Sequence, residues 1–369
     1  MTVDLLAVYT PVGGGHKAAA LATCEAARAR GLGAEGRDLF QLAPRIFGDT
    51  YVAAHLNGQA RAPNLYGKGY FSSNRRGGAL EPMRLGFDRV VFGRLLREVR
   101  ALRPRVIVAT HHLPLVVLGR ARRKGLLDVP VVGVVTDYTA HAVWAERGID
   151  AFCAAAPLAA QELAAHGVDP SRVILTGIPV REAFEAAAPV RNPSADEPLR
   201  VLVTSGGFGV GPMRGIVESF AGSRGVELTV VCGASEELRA RVAGDVERLA
   251  IPARVLGFER DMPSRVAEAH IVVGKAGGLT VSETMTAGRP MVIVGTIPGN
   301  ELLNERYVVS AGAGYAAKPS DVGPLALAMR GRGEIATMGG RARRHVIHRS
   351  SERVLSVCGQ VLDTRARAA

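Results

Sequence analysis

Gly274-Lys-Ala-Gly-Gly-Leu-Thr-Val-Ser-Glu-Thr-Met285 is the stretch of this chain that decides its fold. The apolar run Ala269–Val273 is typical of a buried strand, and Leu279–Ala287 has the character of the helix that follows. Gly277 and Gly278 lie between the two and leave their backbone N–H groups accessible. Because a helix that begins after small residues presents unpaired N–H groups and the positive end of its dipole, this pattern favours an anionic ligand such as a diphosphate.

A carboxylate follows this glycine turn at a useful distance. Glu283 lies about one helical turn beyond it, where a carboxylate can accept two hydrogen bonds from a ribose. An anion-binding turn and a diol acceptor at a fixed separation are what a nucleotide sugar requires. The pattern therefore predicts a nucleotide-sugar site on a strand–turn–helix unit of an α/β fold.

Strand and helix patterns alternate along the rest of the chain, which is typical of parallel sheets with both faces covered. Strands are predicted at Val3–Tyr9, Arg105–Ala109, Val131–Val135, Ala151–Ala154, Val173–Leu175, Leu199–Thr204, Glu227–Val231, Ala253–Leu256, His270–Val273 and Met291–Val294. Residues 186–198, rich in Ala, Pro, Asn and Ser, are interpreted as a linker between two Rossmann-like domains, 1–185 and 199–340. A basic helix over 341–369 is expected to pack back on the first domain. Ligands of such sheets lie beyond the carboxyl ends of the strands, so the site is expected in the cleft between the domains.

Composition limits the kind of protein further. A chain of 369 residues is too long for one ordinary core and suits two domains of similar size. No apolar run is long enough to span a bilayer, and the predicted first strand has no basic leader before it. The four cysteines, Cys24, Cys153, Cys232 and Cys358, are scattered without metal-site or redox spacing, so we interpret them as reduced thiols of a cytoplasmic protein.

The formal charge of +12 is open to three interpretations. A basic protein gains by releasing counterions from nucleic acid. It can also bind an anionic membrane surface, where each well-placed Lys or Arg contributes about 1 kcal/mol. The third interpretation is an arginine-rich genome without a functional meaning, since charge alone concerns association and not fold or activity.

Five ordered blocks of sequence resemble one enzyme family, the monogalactosyldiacylglycerol synthases and processive diacylglycerol glucosyltransferases. The blocks are Gly13-Gly14-Gly15-His16; Thr110-His111; Thr136-Asp137-Tyr138 with His141 and Trp144; Gly206-Gly207 with Gly209 and Gly211; and Lys275-Ala276-Gly277 with Thr280 and Glu283, followed by Ile297-Pro298-Gly299 with Glu301 and Asn304. The resemblance covers most of residues 3–316 in the family's order.

The resemblance implies a GT-B fold, with two Rossmann-like domains and an interdomain cleft, and membership of glycosyltransferase family 28. It implies an inverting, UDP-sugar-dependent hexosyltransferase that acts on diacylglycerol or a related lipid in glycolipid synthesis. No metal or other cofactor is expected, because the family uses a helix dipole in place of a metal. The expected location is cytoplasmic, peripheral to the inner face of the cell membrane, with an anionic membrane surface and no nucleic acid as partner.

Other functions remain as alternatives at this point. The chain could transfer N-acetylglucosamine to a polyprenyl-linked cell-wall precursor or to a soluble acceptor. Sugar–nucleotide 2-epimerases share the architecture and would need no acceptor. A basic nucleic-acid-binding protein is also conceivable, but that function leaves the ordered glycine motifs unexplained.

Two residues of the first domain are candidate catalytic bases. His16 opens the predicted first helix, and an inverting transfer needs a base that removes the proton of the acceptor hydroxyl. Asp137, at the carboxyl end of an apolar strand, is either the rival base or the residue that orients the acceptor or His16. Helix or turn capping is the structural alternative for both, and for His111. The acceptor-binding residues that the resemblance implies are Gly14, Gly15, His111, His141 and Trp144.

The second domain supplies the predicted donor site. Gly206 and Gly207 could also serve a dinucleotide, but no acidic residue ends the next strand. Phe258 is either a position beside the base or ordinary core, and Lys275 either binds a phosphate or is merely solvated. Asn300 stands where the family commonly has Gln. The donor-binding residues that the resemblance implies are Gly206, Gly207, Phe258, Lys275, Ala276, Gly277, Gly278, Thr280, Glu283, Asn300, Glu301 and Asn304.

The lipid side of the predicted site is less well defined. Residues 41–80 combine aromatic and cationic side chains in a region broken by glycines, as suits a lipid headgroup boundary. The alternative is a surface loop whose aromatics pack on the first domain.

Overall fold

A computed structural model describes residues 3–11, 14–42, 74, 93–207, 209 and 211–368 of the chain. Gly13 and nearly all of the predicted lipid-facing segment 41–80, except residues 41, 42 and 74, lie outside the described residues. The chain divides into two compact units. Unit 1 comprises Met1–Glu182, Ile297–Asn300 and Arg349–Ala369, and unit 2 comprises Ala183–Thr296 and Glu301–His348.

The strands and helices of the described residues alternate as expected for an α/β protein. The strands are β1 (Leu5–Tyr9), β2 (Ala34–Asp38), β3 (Val106–Ala109), β4 (Val131–Val134), β5 (Ala151–Ala154), β6 (Val173–Leu175), β7 (Leu199–Thr204), β8 (Val226–Val231), β9 (Ala253–Leu256), β10 (Ile271–Gly274), β11 (Met291–Ile293) and β12 (Gly314–Ala316). The helices are α1 (Gly15–Ala29), α2 (93–102), α3 (His112–Arg123), α4 (Pro157–Ala165), α5 (Glu182–Glu185), α6 (Met213–Glu218), α7 (Glu236–Arg248), α8 (Met262–Glu268), α9 (Gly278–Thr286), α10 (Asn300–Ser310), α11 (Val322–Gly331), α12 (Ile335–His345) and α13 (Ser350–Ala368).

Unit 1 is built on a parallel sheet with the strand order β2-β1-β3-β4-β5-β6. Successive side chains of a strand point to opposite faces. Leu6 and Val8 therefore join the core formed with α2, α3 and α4. Leu5 and Ala7 join a second core formed with α1 and α13. Apolar cores on both faces of the sheet are what a parallel sheet requires.

Unit 2 has a second parallel sheet, in the order β12-β11-β10-β7-β8-β9. The strand order reverses at β7, which pairs with β8 on one side and β10 on the other. In the β7–β10 pair, Gly274 lies opposite Thr204, so the segments that follow these two strands begin at the same level of the sheet. Such a reversal is where open α/β sheets bind ligands.

The sequence predicted this architecture well. All ten predicted strands are present with their ends shifted by at most two residues, and the fold class is confirmed. Two strands were missed, β2 and β12. Both lie at the edge of a sheet, and β2 (Ala-Glu-Gly-Arg-Asp) has no apolar run that could identify it.

The predicted linker, residues 186–198, is held against unit 2 by side chains of that unit. Arg343 and Arg289 donate to the carbonyls of Ala187 and Ala188, at 3.0 and 2.9 Å. Asn192 donates to Gly333 O and accepts from Ala336 N–H. Arg330 donates to three further carbonyls, those of Ser194, Ala195 and Glu197. Residues 186–198 thus belong to unit 2 and are attached to it by these hydrogen bonds.

Arg289 is itself an unusual buried cation. It is 3% exposed, and burial, followed by the charge of Arg343, lowers the pKa of its guanidinium to about 10. The group still carries its proton at neutral pH, so it keeps donating to the carbonyls of Ala188, Ala287 and Ala267.

The end of the chain differs from the prediction of one basic helix over 341–369. α12 ends at His345 and α13 begins at Ser350. The helix is interrupted because Val346 is extended and Arg349 has a positive φ of 57°. α13 belongs to unit 1, where Val354, Leu355, Val357 and Cys358 join the core with α1 and the sheet.

Among the described residues, no helix combines the length and apolar character needed to cross a bilayer.

We predict that Leu355→Ala destabilises unit 1. Leu355 is 6% exposed, and removing a buried leucine side chain costs about 2–5 kcal/mol of the free energy of unfolding. Leu158→Ala, at a leucine that is 48% exposed, is the control and should change little. Urea unfolding followed by the fluorescence of Trp144, the single tryptophan of the chain and part of the same unit, measures the effect. Equal unfolding free energies for the two variants would contradict the packing of α13.

Candidate functional site

His16 links the ends of three neighbouring strands, because it follows β1 and its ring contacts residues that follow β3 and β4. It lies half-buried in the first turn of α1, just after β1. Its Nδ1 atom lies 2.9 Å from the main-chain oxygen of Thr110, which follows β3, and 2.8 Å from Oγ1 of Thr136, which follows β4. Thr110 Oγ1 in turn donates to the main-chain oxygen of His16 at 2.8 Å. The ring is therefore held at the carboxyl edge of the sheet.

The main-chain contact decides which ring nitrogen of His16 carries the proton. A carbonyl oxygen can only accept, so Nδ1 carries a hydrogen and donates it to Thr110 O. In the neutral ring the lone pair then lies on Nε2. A neutral imidazole with its lone pair on Nε2 is able to act as a general base.

Gly14 and Gly15 form the turn that presents His16. Gly14 is the N-cap residue of α1 and has a φ of 75°, a conformation that glycine adopts without steric cost. Since glycine has no side chain, the first N–H groups of α1 are not capped from this position. The turn thus combines an accessible backbone with the histidine.

Asp137 follows Thr136 and is partly exposed. Its Oδ1 accepts a hydrogen bond from Nδ2 of Asn300 at 3.1 Å, and both residues belong to unit 1. Asn300 was predicted to contact the donor. In the structure its amide lies against a candidate base.

His111, His141 and Trp144 are buried, at 4%, 6% and 4% exposure. His111 caps α3, where its Nδ1 accepts from Leu113 N–H at 3.1 Å. His141 caps the short 3₁₀ helix Ala142–Trp144 in the same way, through Val143 N–H at 3.2 Å. The capping alternative given for His111 is therefore present, whereas the cap by His141 was not predicted. Trp144 belongs to the core of unit 1.

His111 also contacts His16 directly. The two ring centroids lie 4.4 Å apart and the rings are nearly perpendicular, at 86°. His111 thus supports the orientation of the candidate base from the end of β3, although no sequence pattern distinguished this role from substrate binding.

The loop after β4 has a second anchor that the sequence did not predict. Glu162 of α4 accepts a hydrogen bond from the N–H of Ala140 at 2.6 Å, and Asn74 accepts one from Ala142 N–H at 2.7 Å. Burial raises the pKa of the Glu162 carboxyl. These contacts fix the loop that contains Asp137 and His141.

In unit 2, glycines let two loops approach each other beyond the sheet. Gly206 and Gly207 follow β7, and Gly233 follows β8 with a φ of 64°. A Cβ atom at Gly233 would lie 2.5 Å from Gly206 O and 2.8 Å from Gly207 O, so only glycine fits there. Phe208 and Val210 lie outside the described residues.

The predicted glycine turn between β10 and α9 is present as expected. Gly277 is the N-cap residue of α9 and Gly278 its first residue, so this helix also starts without a capping side chain. Thr280 lies in the first turn. Because β7 and β10 are paired, this helix start lies next to the segment at Gly206 and Gly207. The arrangement can bind an anion through main-chain N–H groups and the helix dipole.

Buried contacts hold this turn in place. Asn304 of α10 is fully buried and its Nδ2 donates to the oxygen of Ala276 at 3.0 Å. In the structure this predicted phosphate or ribose contact also holds the turn in position. Lys275 Nζ lies 3.5 Å from Glu301 Oε1, and this pair is 20% and 13% exposed. Glu283 is half-buried on α9.

Phe258 stands apart from these buried residues. It follows β9, at the same edge of the sheet, and it is 66% exposed. The core alternative for Phe258 is therefore wrong, and an exposed aromatic face is available for stacking on a planar ring.

The described part of the chain holds no group of three or more His, Cys, Asp or Glu that could bind a metal ion.

Two known families match the two halves of the chain. Residues 16–180 match the monogalactosyldiacylglycerol synthase family, and residues 205–330 match the C-terminal domain of glycosyltransferase family 28. The crystal structure of Acinetobacter baumannii MurG has the same fold, with a TM-score of 0.64 at 19% identity over 97% of this chain and 99% of that one.

Sequence relatives extend the match across the chain. "Probable monogalactosyldiacylglycerol synthase 2, chloroplastic" of Oryza sativa subsp. japonica is 28% identical over 347 residues, which cover 85% of this chain and 71% of the relative. A "Processive diacylglycerol beta-glucosyltransferase" of Bacillus thuringiensis is 25% identical over 229 residues, which cover 60% of this chain and 58% of the relative.

We predict that replacing His111 reveals its capping role. Both His111→Ala and His111→Asn lose the ring, but asparagine keeps a side-chain oxygen that can accept from Leu113 N–H. The alanine variant should therefore be less stable than the asparagine variant by about 0.5–2 kcal/mol, measured by urea unfolding followed by circular dichroism. Equal stabilities would argue against the cap.

Proposed function

Because the chain belongs to the family of monogalactosyldiacylglycerol synthases and glycosyltransferase family 28 enzymes, we propose that it is an inverting GT-B glycosyltransferase that moves a hexose from a UDP-sugar to diacylglycerol or a related lipid. The names of the two sequence relatives above favour diacylglycerol over a polyprenyl-linked acceptor. The sugar is galactose in the name of one relative and glucose in the other.

The observation that carries this proposal is the uncapped start of α9 at the strand reversal of unit 2. A diphosphate can accept hydrogen bonds from the first N–H groups of the helix, and the helix dipole favours its charge. When the bond between the sugar and UDP breaks, additional negative charge develops on the leaving phosphate, so the same groups would stabilise the transition state. Lys275 contributes a positive charge to this region.

The remaining donor contacts follow from exposure and position. Glu283 is proposed to accept from the ribose hydroxyls and Glu301 from the sugar. Phe258, exposed beyond β9, is proposed to lie against the uracil ring. Asn304 and Ala276 act indirectly, since the buried amide holds the turn.

His16 is proposed as the base. The lone pair on Nε2 takes the proton of the acceptor hydroxyl while its oxygen attacks the anomeric carbon and UDP departs. Asp137 is the alternative base, and its hydrogen bond with Asn300 also suits a role in orienting the acceptor.

The excess positive charge supports a membrane as the site of action. Unit 1 has 27 Lys and Arg against 17 Asp and Glu, whereas unit 2 has 19 against 17. We propose that the basic unit binds the anionic inner face of the cell membrane, where the lipid acceptor is found. The four cysteines are free and buried, which supports a cytoplasmic location.

We predict that UDP is released only when the correct UDP-hexose and diacylglycerol are both present. UDP-glucose, UDP-galactose and UDP-N-acetylglucosamine are each incubated with vesicles that contain or lack diacylglycerol, and UDP is quantified. Turnover should rise with the fraction of anionic lipid and fall with salt, because surface charge is screened.

The controls of this assay separate the alternatives. UDP release that ignores diacylglycerol but requires a polyprenyl-linked acceptor would reject the proposed acceptor. A change of the sugar without any acceptor would indicate an epimerase. Turnover that is independent of anionic lipid would reject the membrane proposal while leaving the transfer intact.

We predict that His16→Ala lowers kcat about 10²–10⁴-fold, because a general base contributes a factor of this size. UDP affinity, measured by calorimetry, should change little. Asp137→Asn is the matched variant, since its amide oxygen can still accept from Asn300 while the charge is lost. A large loss of kcat in Asp137→Asn, with kcat retained in His16→Ala, would assign the base to Asp137. If His16→Ala lost UDP affinity as well as kcat, His16 would have a structural role.

A further inference from the structure

His16 Nδ1 contacts Thr136, a residue to which no sequence pattern assigned a role. Thr136 Oγ1 lies 2.8 Å from this atom, and Thr110 O lies 2.9 Å from it. Both threonines are buried, at 4% and 0% exposure. We propose that Thr136 is a positioning residue for the base, which together with the Thr110 carbonyl holds the Nδ1–H form of His16 and stabilises the protonated ring during transfer. This inference rests on the proposed function of His16.

The resting state follows from the donors and acceptors present. The Thr110 carbonyl accepts the Nδ1 hydrogen, so the lone pair is on Nε2 before the reaction. The perpendicular ring of His111 at 4.4 Å limits rotation of the imidazole. The hydrogen bond from Thr110 Oγ1 to His16 O fixes the helical turn itself. The reactive nitrogen is thereby selected before the acceptor arrives.

The role of Thr136 concerns the charged state. In the reaction the acceptor O–H bond breaks and its proton passes to His16 Nε2. The oxygen lone pair forms the new bond to the anomeric carbon, and the electron pair of the old bond leaves on the phosphate oxygen of UDP. The resulting imidazolium shares its charge with Nδ1–H, where the lone pairs of Thr136 Oγ1 and Thr110 O lie within hydrogen-bonding distance.

Neutral oxygens and a carboxylate differ in how strongly they stabilise the protonated ring. In a Ser–His–Asp triad, an aspartate holds the tautomer and stabilises the imidazolium. A carboxylate at Nδ1 would also favour the charged ring at rest, whereas two neutral oxygens favour it less. Thr136 and Thr110 therefore orient the ring without placing a formal charge against Nδ1.

The test compares Thr136→Val with Thr136→Ser. Valine has nearly the shape of threonine but no hydroxyl, and serine restores the hydroxyl. Thr139→Val is the matched control, because Thr139 is equally buried in the same loop and its hydroxyl has no hydrogen-bond partner among the described residues. We expect Thr136→Val to lower kcat about tenfold or more, as expected for one hydrogen bond to a charged group, with the KM for the UDP-sugar unchanged.

The pH dependence separates positioning from a structural role. Without the Thr136 oxygen the protonated ring is less stable, so the acid limb of the kcat profile should move to lower pH in Thr136→Val and return in Thr136→Ser. Unchanged kcat in Thr136→Val would overturn the inference. A loss that serine does not restore, or that Thr139→Val shares, would overturn it as well.

A second readout does not need turnover. In histidine-selective ¹⁵N spectra of the whole protein, with His16 assigned through the His16→Gln variant, the ring should show the Nδ1–H form and titrate at lower pH in Thr136→Val. An Nε2–H form, or identical titration in the two proteins, would overturn the inference even if no transfer reaction were found. Absence of UDP release from wild-type protein would instead count against the proposed function.

Discussion

Parallel pairing of neighbouring strands is the constraint on which the candidate residues of each unit depend. The ladder hydrogen bonds of a parallel sheet bring the carboxyl ends of adjacent strands to one edge. In unit 1 the segments after β1, β3 and β4 meet there, which is why Thr110 and Thr136 can both contact His16 although 94 and 120 positions separate them from it. In unit 2 the pairing of Gly274 with Thr204 brings the two glycine segments together. A shift of register in either sheet would separate these groups without changing any of them.

The carboxyl edges of the two sheets share one backbone feature beside different side chains. Each has a helix whose N-cap residue is glycine, Gly14 in unit 1 and Gly277 in unit 2. In unit 2 the helix start without a capping side chain suits a permanent negative charge. In unit 1 it accompanies a histidine whose Nδ1 contacts two neutral oxygens.

Sequence reasoning predicted the fold and the glycine turn before α9 better than the contacts of individual side chains. Apolar runs identified the central strands, because burial on both faces leaves a clear pattern, but the polar edge strand β2 has no such pattern. The glycine turn before α9 could be predicted because the feature that matters there is main-chain N–H groups without a capping side chain. The burial of Asn304, the exposure of Phe258 and the capping by His111 and His141 depend on long-range packing or on a single hydrogen bond, and residue type alone does not encode these. The role of Thr136 was missed because only the folded sheet brings it to His16.

The hydrogen bonds from Arg289 and Arg343 to residues 186–198 also bear on how unit 2 could be expressed alone. A fragment that starts at β7 would look complete by its strands, yet it would lack the carbonyls of Ala187 and Ala188. Arg289, buried with its charge, would then lose one of its acceptors inside the protein. The cloning boundary therefore lies near Ala183, where the compact unit starts, and not at the first residue of its sheet.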